Sequence, residues 1–356
     1  DNDNDGYSDL QEDWQSDPVY GAIFNPLDDT SYPSEAADND MDGLTDDDDL
    51  DDDNDGLVDS DELIRLTNKF LADSDGDGIN DGDEVRYNYN PLDKSNFPLT
   101  GNINSKTIDS TNVNSDGIVY IVGREIVNTM NHPWFETVNL TNVTVTAGTS
   151  LMIEKDTGVN FIDSTITGTA ENVVIIRTTG AGIGHLSLNN TSATKLNLKV
   201  SNSFNTHGST KITHSDLRFT KEYDNSLYGV IDTSYISMAE GSNNFGEINN
   251  SYITGSSYWS NSEQGLINNS YMYGISSSFY LSNYGNITSS YMLSKVHQQS
   301  GSYISGSIID KLVGTSAQII DSDIKFYESN VYVNMFFDNT FIEDPTATAF
   351  YDGYGT

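Results

Sequence analysis

The chain has 356 residues and a formal net charge of −38, from 54 acids against 16 bases. Such charge repels a phosphate backbone and excludes nucleic acid as a partner. No apolar run approaches the ~20 residues of a membrane span, and the absence of cysteine excludes disulfides, thiolate metal sites and cysteine nucleophiles.

The charge is concentrated. Residues 1–100 hold 31 acids and 4 bases, and the remaining 256 residues hold 23 acids and 12 bases. A dense block of carboxylate oxygen suits hard cations. The chain opens inside a motif and without Met, which reads as a processed or trimmed product. Within the block, Asp-x-Asp-x-Asp-Gly-x-x-Asp-x-x-[Asp/Glu] occurs four times. The first copy supplies Asp1, Asp3, Asp5, Asp9 and Glu12. The second supplies Asp38, Asp40, Asp42, Asp46 and Asp49. The third supplies Asp51, Asp53, Asp55, Asp59 and Glu62. The fourth supplies Asp73, Asp75, Asp77, Asp81 and Glu84.

Ca²⁺ takes six to eight oxygens at ~2.3–2.6 Å, and alternate residues of a tight loop turn their carboxylates to one centre. Gly at the sixth place permits the sharp turn. The seventh residue (Tyr7, Leu44, Leu57, Ile79) offers its backbone carbonyl, and the acid at the twelfth place closes the shell. At least four Ca²⁺ sites are expected. Mg²⁺ fits less well, because it dehydrates reluctantly. Two connectors, Asn25–Pro33 and Asn90–Pro98, repeat one turn-rich phrase, and their Asp28 and Asp93 could add ligands. The stretch 60–71 reads as one short helix.

The segments DNDNDGYSD, DNDMDGLTD, DDDNDGLVD and DSDGDGINDGDE resemble thrombospondin type 3 repeats over about residues 1–98. The resemblance implies a chain of little regular structure wrapped around bound calcium. It also implies a stalk, spacer or assembly role outside the cell. The uneven spacing of the copies implies separate calcium clusters rather than a continuous row.

Further along, a unit apolar-x-x-[Ser/Thr]-x-apolar recurs: FIDSTI from Phe161, ITHSDL from Ile212, IDTSYI from Ile231, INNSYI from Ile248 and INNSYM from Ile267. It continues as ITSSYM from Ile287, ISGSII from Ile304, IIDSDI from Ile319 and FDNTFI from Phe337, with a weaker LTNVTV from Leu140. A period near 18 with short strands predicts a β-solenoid. Ile248, Ile267, Ile287 and Ile304 should stack inside, as should Ile253, Met272, Met292 and Ile309. Ser251, Ser270, Ser290 and Ser307 should form a polar ladder, with Asn249, Asn250, Asn268 and Asn269 at the bends. A β-sandwich fits the turn signals but not nine aligned repeats. The I-N-N-S-Y-I phrase is similar to right-handed parallel β-helix repeats over about residues 138–342.

The expected plan is all-β. A calcium-binding region (1–100) and a linker or capping segment (101–137) precede a right-handed parallel β-helix (138–345) and a tail (346–356). Tyr235, Tyr252, Tyr271 and Tyr291 hold the fifth place of four successive units and should form an aromatic ladder, either stabilising the sheet or presenting a ligand or partner surface. Tyr258, Trp259, Tyr273, Phe279, Tyr280 and Tyr284 read as loop aromatics that add to such a surface. Lys and Arg do not recur in register, and the histidines lack metalloprotease spacing. Asp232, Glu240, Glu247 and Glu263 are the carboxylates that a glycosidase would need to bring together. The chain therefore reads as a secreted, non-catalytic, calcium-binding surface protein. Stalk and rod would serve adhesion or extracellular assembly, through self-association or other extracellular surface proteins, with a filament subunit as one form. The alternatives are a carbohydrate-binding adhesin using the tyrosines, and a polysaccharide lyase or glycoside hydrolase.

Overall fold

A computed structural model describes residues 38–123, 125–126, 134–180, 184–201, 203–219, 225–238, 241–276, 278–299, 301–314, 316–328 and 334–345. The chain divides into two compact units, Asp1–Phe97 and Pro98–Thr356. The first loop copy (Asp1, Asp3, Asp5, Tyr7, Asp9 and Glu12), the connector at Asn25, Glu240 and the tail lie outside the described residues.

The second unit is a parallel β-solenoid whose strands form three ladders. The first ladder is a 12-stranded sheet from Thr107–Ile108 to Asn334–Asp338. At ~4.8 Å per rung it spans about 50 Å. The second ladder stacks strands such as Tyr235–Met238, Tyr252–Gly255 and Tyr271–Gly274. The third stacks strands such as Ser242–Asn244, Tyr258–Asn261 and Tyr280–Asn283. From Tyr291–Gln298 onward one long strand serves both the second and third ladders, with a bulge between Met292 and Lys295.

Alternation supplies the core. Each strand turns every second residue inward, so one apolar side chain per face per rung suffices. Ile248, Ile267, Ile287 and Ile304 pair in register on the first ladder and are fully buried. Ile253, Met272, Met292 and Ile309 do the same on the second. The stretch 101–137, expected to link or cap, already contributes rung strands. Asn102–Asn104, Thr107–Ile108 and Val119–Ile121 pair with Val138–Thr141, Thr144–Val145 and Ser150–Ile153. It also carries an antiparallel pair, Glu125–Ile126 with Trp134–Phe135.

The recurring unit, expected as one column, occupies two different corners. ITHSDL and its successors turn from the first ladder to the second, with Thr233, Asn250, Asn269 and Ser289 left-handed at φ of 50°, 50°, 45° and 49°. LTNVTV and FIDSTI turn from the third ladder to the first, with Asn142 and Asp163 left-handed. The same arc serves both corners: a third residue at positive φ, then a hydroxyl in every copy but LTNVTV, where Val143 stands. The serine ladder forms as expected and extends further. The backbone N–H of Leu196 and of Ser215, Ser234, Ser251, Ser270, Ser290 and Ser307 each donates to the hydroxyl of the next rung at 3.1–3.2 Å. Each hydroxyl donates in turn to the carbonyl two residues before it, as Ser251 does to Asn249 at 2.6 Å. Ser164, Thr191 and Thr210 repeat the device at the other corner.

A second polar ladder was not expected. Asn244, Asn261, Asn283 and Gln298 are buried and joined amide to amide at 2.8, 2.7 and 3.0 Å. Two of the aromatics read as loop residues also belong inside. Trp259 points into the core, and Phe279 is buried over Gly255 and Gly274, whose missing β-carbons make room for its ring.

In the first unit, the stretch 60–71 is helical only over Asp59–Arg65 (α1). Leu66 stops it in a left-handed conformation, φ 68°, with its N–H on the Glu62 carbonyl. The residues beyond the stop fold back, so that Lys69 pairs with Asp52 and Asp59. A second short helix, Asp81–Arg86 (α2), follows the last loop. Both helices begin at the ninth loop position and carry acids in the first turn, where the exposed N–H groups favour them. Among the described residues no helix is long and apolar enough to cross a membrane.

Candidate functional site

Three of the four expected loops lie within the described residues. In each, the first three alternating aspartates converge: Asp38, Asp40 and Asp42; Asp51, Asp53 and Asp55; Asp73, Asp75 and Asp77. One oxygen from each lies within 4.8 Å of the others in its cluster. The backbone forces this. Gly43, Gly56 and Gly78 sit at φ of 100°, 91° and 97°, which a side chain would strain. Their N–H groups donate to the first aspartate at 3.2, 3.0 and 2.8 Å. The seventh-residue N–H donates to the fifth-position aspartate: Leu44 to Asp42, Leu57 to Asp55, Ile79 to Asp77. These bonds fix one face of each carboxylate and leave others turned to the loop centre.

The twelfth-position acids stand outside the three-aspartate clusters, near enough for the charge of Asp53 and Asp55 to reach Glu62 and that of Asp75 and Asp77 to reach Glu84. Glu62 and Glu84 are fully buried, and neither oxygen of either has a hydrogen-bond partner. Asp53, Asp75, Asp77 and Asp81 each hold one more buried oxygen without a partner. Uncompensated buried carboxylates are costly, and the donor set is all oxygen, so a hard cation is the group that fits. Burial, reinforced by neighbouring aspartates, pushes Glu84 up to about 9, Glu62 to about 7 and Asp53 to about 6.

The ninth-position aspartates have another duty. Asp46, Asp59 and Asp81 accept the N–H of the second loop residue, from Asn39, Asp52 and Ser74, at 2.9–3.1 Å. Asp59 also takes Lys69 on its other oxygen at 2.8 Å. Its oxygens are thus both engaged, whereas Asp81 keeps one free. Asp93 accepts from Ser95, both N–H and hydroxyl.

Loop 38–49 is built less completely. Asp49 accepts from Leu50 and Asp51 N–H groups, and Leu44 is half exposed where Leu57 and Ile79 are buried. Its fourth residue, Met41, is left-handed at φ 62°, which costs a non-glycine residue about 1–2 kcal/mol. The loops touch one another. The Asn54 amide donates to Asp40, and the Asn39 amide donates to the Asp52 carbonyl at 3.1 Å.

On the solenoid, Tyr235, Tyr252, Tyr271 and Tyr291 stand in register on the second ladder. Their ring centroids are 5.7, 4.9 and 5.6 Å apart, at interplanar angles of 12°, 11° and 9°. The rings therefore spend their faces on one another, and the Tyr235 hydroxyl is within hydrogen-bond reach of Thr254 on the next rung at 3.3 Å. Arg218, paired with Asp216, covers the free face of Tyr235. Beside the ladder runs an open groove of about 450 Å³, walled by Tyr252, Tyr271 and Tyr291 and by the corner residues Asn250, Asn269 and Ser289. Stacking of this kind adds about 0.5–1.5 kcal/mol per pair. Tyr271→Leu, which breaks two pairs, should therefore cost about 1–3 kcal/mol in a denaturant titration. No change in midpoint would remove the ladder from the stabilising contacts.

Of the carboxylates considered for hydrolysis, Asp232, Glu247 and Glu263 lie within the described residues. Asp232 and Glu247 lie on the outer side of the first ladder. The Asp232 carboxylate accepts from Asn250 and Thr233, and that of Glu247 from Asn249. Glu263 is exposed in the turn before Leu266–Asn268.

Comparison with models of protein families, with curated proteins and with solved structures found no match.

Proposed function

We propose that the chain is a secreted structural protein in which calcium organises the acidic unit as a stalk and the solenoid serves as a rod for adhesion or extracellular assembly. In this reading the loops are of thrombospondin type 3 character and the solenoid is a right-handed β-helix. The observation that carries it is the burial of Glu62 and Glu84, with all four carboxylate oxygens unpartnered, at the twelfth place of loops with clustered aspartates. Bound Ca²⁺ would supply the missing positive charge. Asp51, Asp53, Asp55 and Glu62 would hold one ion, and Asp73, Asp75, Asp77 and Glu84 another. Asp38, Asp40 and Asp42 would hold a third more loosely, and the first copy a fourth. Extracellular modules work at calcium levels of ~10⁻⁴–10⁻³ M, which tolerates weak sites.

Calorimetry with calcium tests this directly. Saturable binding that is lost at one site in Glu84→Gln and at another in Glu62→Gln supports it, and no heat or binding at millimolar calcium overturns it. The proton dependence follows from the raised carboxyls. Acids whose folded-state pKa lies above the usual range favour the ion-free fold at low pH, and that contribution is lost as pH rises through about 7 and then 9. Calcium must displace those protons, so its affinity should fall about tenfold or more between pH 8 and pH 6. Isotherms at the two pH values, in buffers of different ionisation heat, read both the weakening and the released protons.

The groove beside the tyrosines favours one further reading, a glycan-binding face. Its amide and hydroxyl walls around Asn250, Asn269 and Tyr271 suit a neutral sugar chain lying along the rod. Retention on an immobilised neutral glycan, abolished by Tyr271→Leu together with Asn269→Leu, would support it. Elution with the void volume would remove it.

A further inference from the structure

We propose that Asp55 couples the loops 51–62 and 73–84, so that the two take up their ions as one step. The inference rests on the calcium reading of these loops. Asp55 is one of the three clustered aspartates of the first of them. Its Oδ1 accepts the Leu57 N–H at 2.7 Å, and its Oδ2 accepts the N–H of Gly82 at 2.9 Å. Gly82 lies in α2 between Asp81 and Glu84, the two buried acids of the second loop. The carboxylate that faces one ion thus also holds the helix that carries the ligands of the other.

The approach is close. A β-carbon built on Gly82 would lie 2.5 Å from the Asp55 carbonyl oxygen. Only glycine fits there, although the helix itself would favour alanine. Of the four motif copies, only this one has glycine at its tenth place. The charge of Asp81 also reaches the carboxyls of Asp53 and Asp55, behind burial as the main influence on them. Through space alone, an ion in either loop repels a second ion and weakens the attraction of the other loop's carboxylates for it. The shared Asp55–Gly82 contact acts the other way, towards positive coupling, because ordering one loop positions the ligands of the other, and such coupling is reciprocal.

Gly82→Ala separates coupling from binding, because Gly82 offers no side-chain ligand to either loop. In the full-length wild-type chain, a calcium titration followed by the backbone amides of Gly56 and Gly78 should show both loops filling together, with a Hill slope above 1. In Gly82→Ala the two amides should respond at different calcium concentrations, each with a slope of 1. Asp83→Ala, an exposed change on the same helix, should behave as wild type. If Gly82→Ala fails to fold, Glu84→Gln serves instead. Weakening loop 73–84 should then weaken calcium binding at loop 51–62 by about 5- to 10-fold. Independent filling in the wild type, or an unchanged loop 51–62 in Glu84→Gln, overturns the coupling and leaves calcium binding intact. No calcium response at either amide overturns the calcium reading, and the coupling with it.

Discussion

Chelation of calcium should unfold the described acidic unit, residues 38–97, while the solenoid stays folded. Among the described residues of this unit the buried apolar side chains are Leu57, Ile79, Tyr87, Tyr89 and Pro91, far too few to offset the chain entropy of some sixty residues. Against that small core stand the buried carboxylates of Asp81, Glu62 and Glu84 and the half-buried one of Asp53, each raised by burial and by neighbouring aspartate charge. Ion binding is then folding free energy rather than an addition to it. The solenoid has no such dependence. Its core is a continuous stack of side chains from Leu99 to Ile324. Hydrogen exchange read by mass spectrometry, with calcium and with EDTA, should show amides of 51–89 losing protection together and those of the ladders unchanged. Equal protection of 51–89 in both conditions would show that the unit is held by something other than the metal.

The second large effect should come from Asn261→Leu. Asn261 is fully buried, accepts from the Asn244 amide, and donates to the Asn283 amide and to the Gly265 and Asn286 carbonyls. Leucine of similar volume would leave an amide donor on Asn244 and an acceptor on Asn283 without their partner in a buried site. Each orphan costs about 1–3 kcal/mol, so a net loss of about 3 kcal/mol is expected after the gain in apolar burial. Asn249→Leu, on the outer side of the first ladder, should change stability by no more than about 0.5 kcal/mol. Equal effects of the two substitutions in chemical denaturation would show that the buried amide ladder has no special weight.

Much of this fold was legible because solenoids repeat. Isoleucine at one place every rung, serine three residues later and tyrosine after that give inward, corner and outward positions directly, and Ile267, Ser270 and Tyr271 occupy them. The loops were equally legible, since glycine at the sixth place turns the backbone sharply and brings the alternating aspartates together. The amide ladder was hidden for the opposite reason. Asn244, Asn261, Asn283 and Gln298 are 17, 22 and 15 residues apart, in a region where asparagine is common, and no local phrase marks them. The two corners were merged because one short bend works wherever a chain must turn sharply. The stop at Leu66 was missed because leucine rarely adopts a left-handed backbone. There the pull of Lys69 toward Asp52 and Asp59 comes from across the loop, not from its sequence neighbours. The buried state of Glu62 and Glu84, and the contact of Asp55 with Gly82, belong to tertiary packing that spacing alone does not encode.

The serine ladder gives the rod a direction of growth. In all seven links, from Leu196 to Ser322, the donor is a backbone N–H on the earlier rung and the acceptor is a hydroxyl on the later one. A rung added at the late end must therefore bring its own hydroxyl. At the early end the ladder stops at Leu196, whose side chain offers no hydroxyl to an amide added before it. Duplicating one unit of the Ile248–Leu266 type inside the stack satisfies both neighbours at once, so length is the property of this rod that sequence change can alter most cheaply.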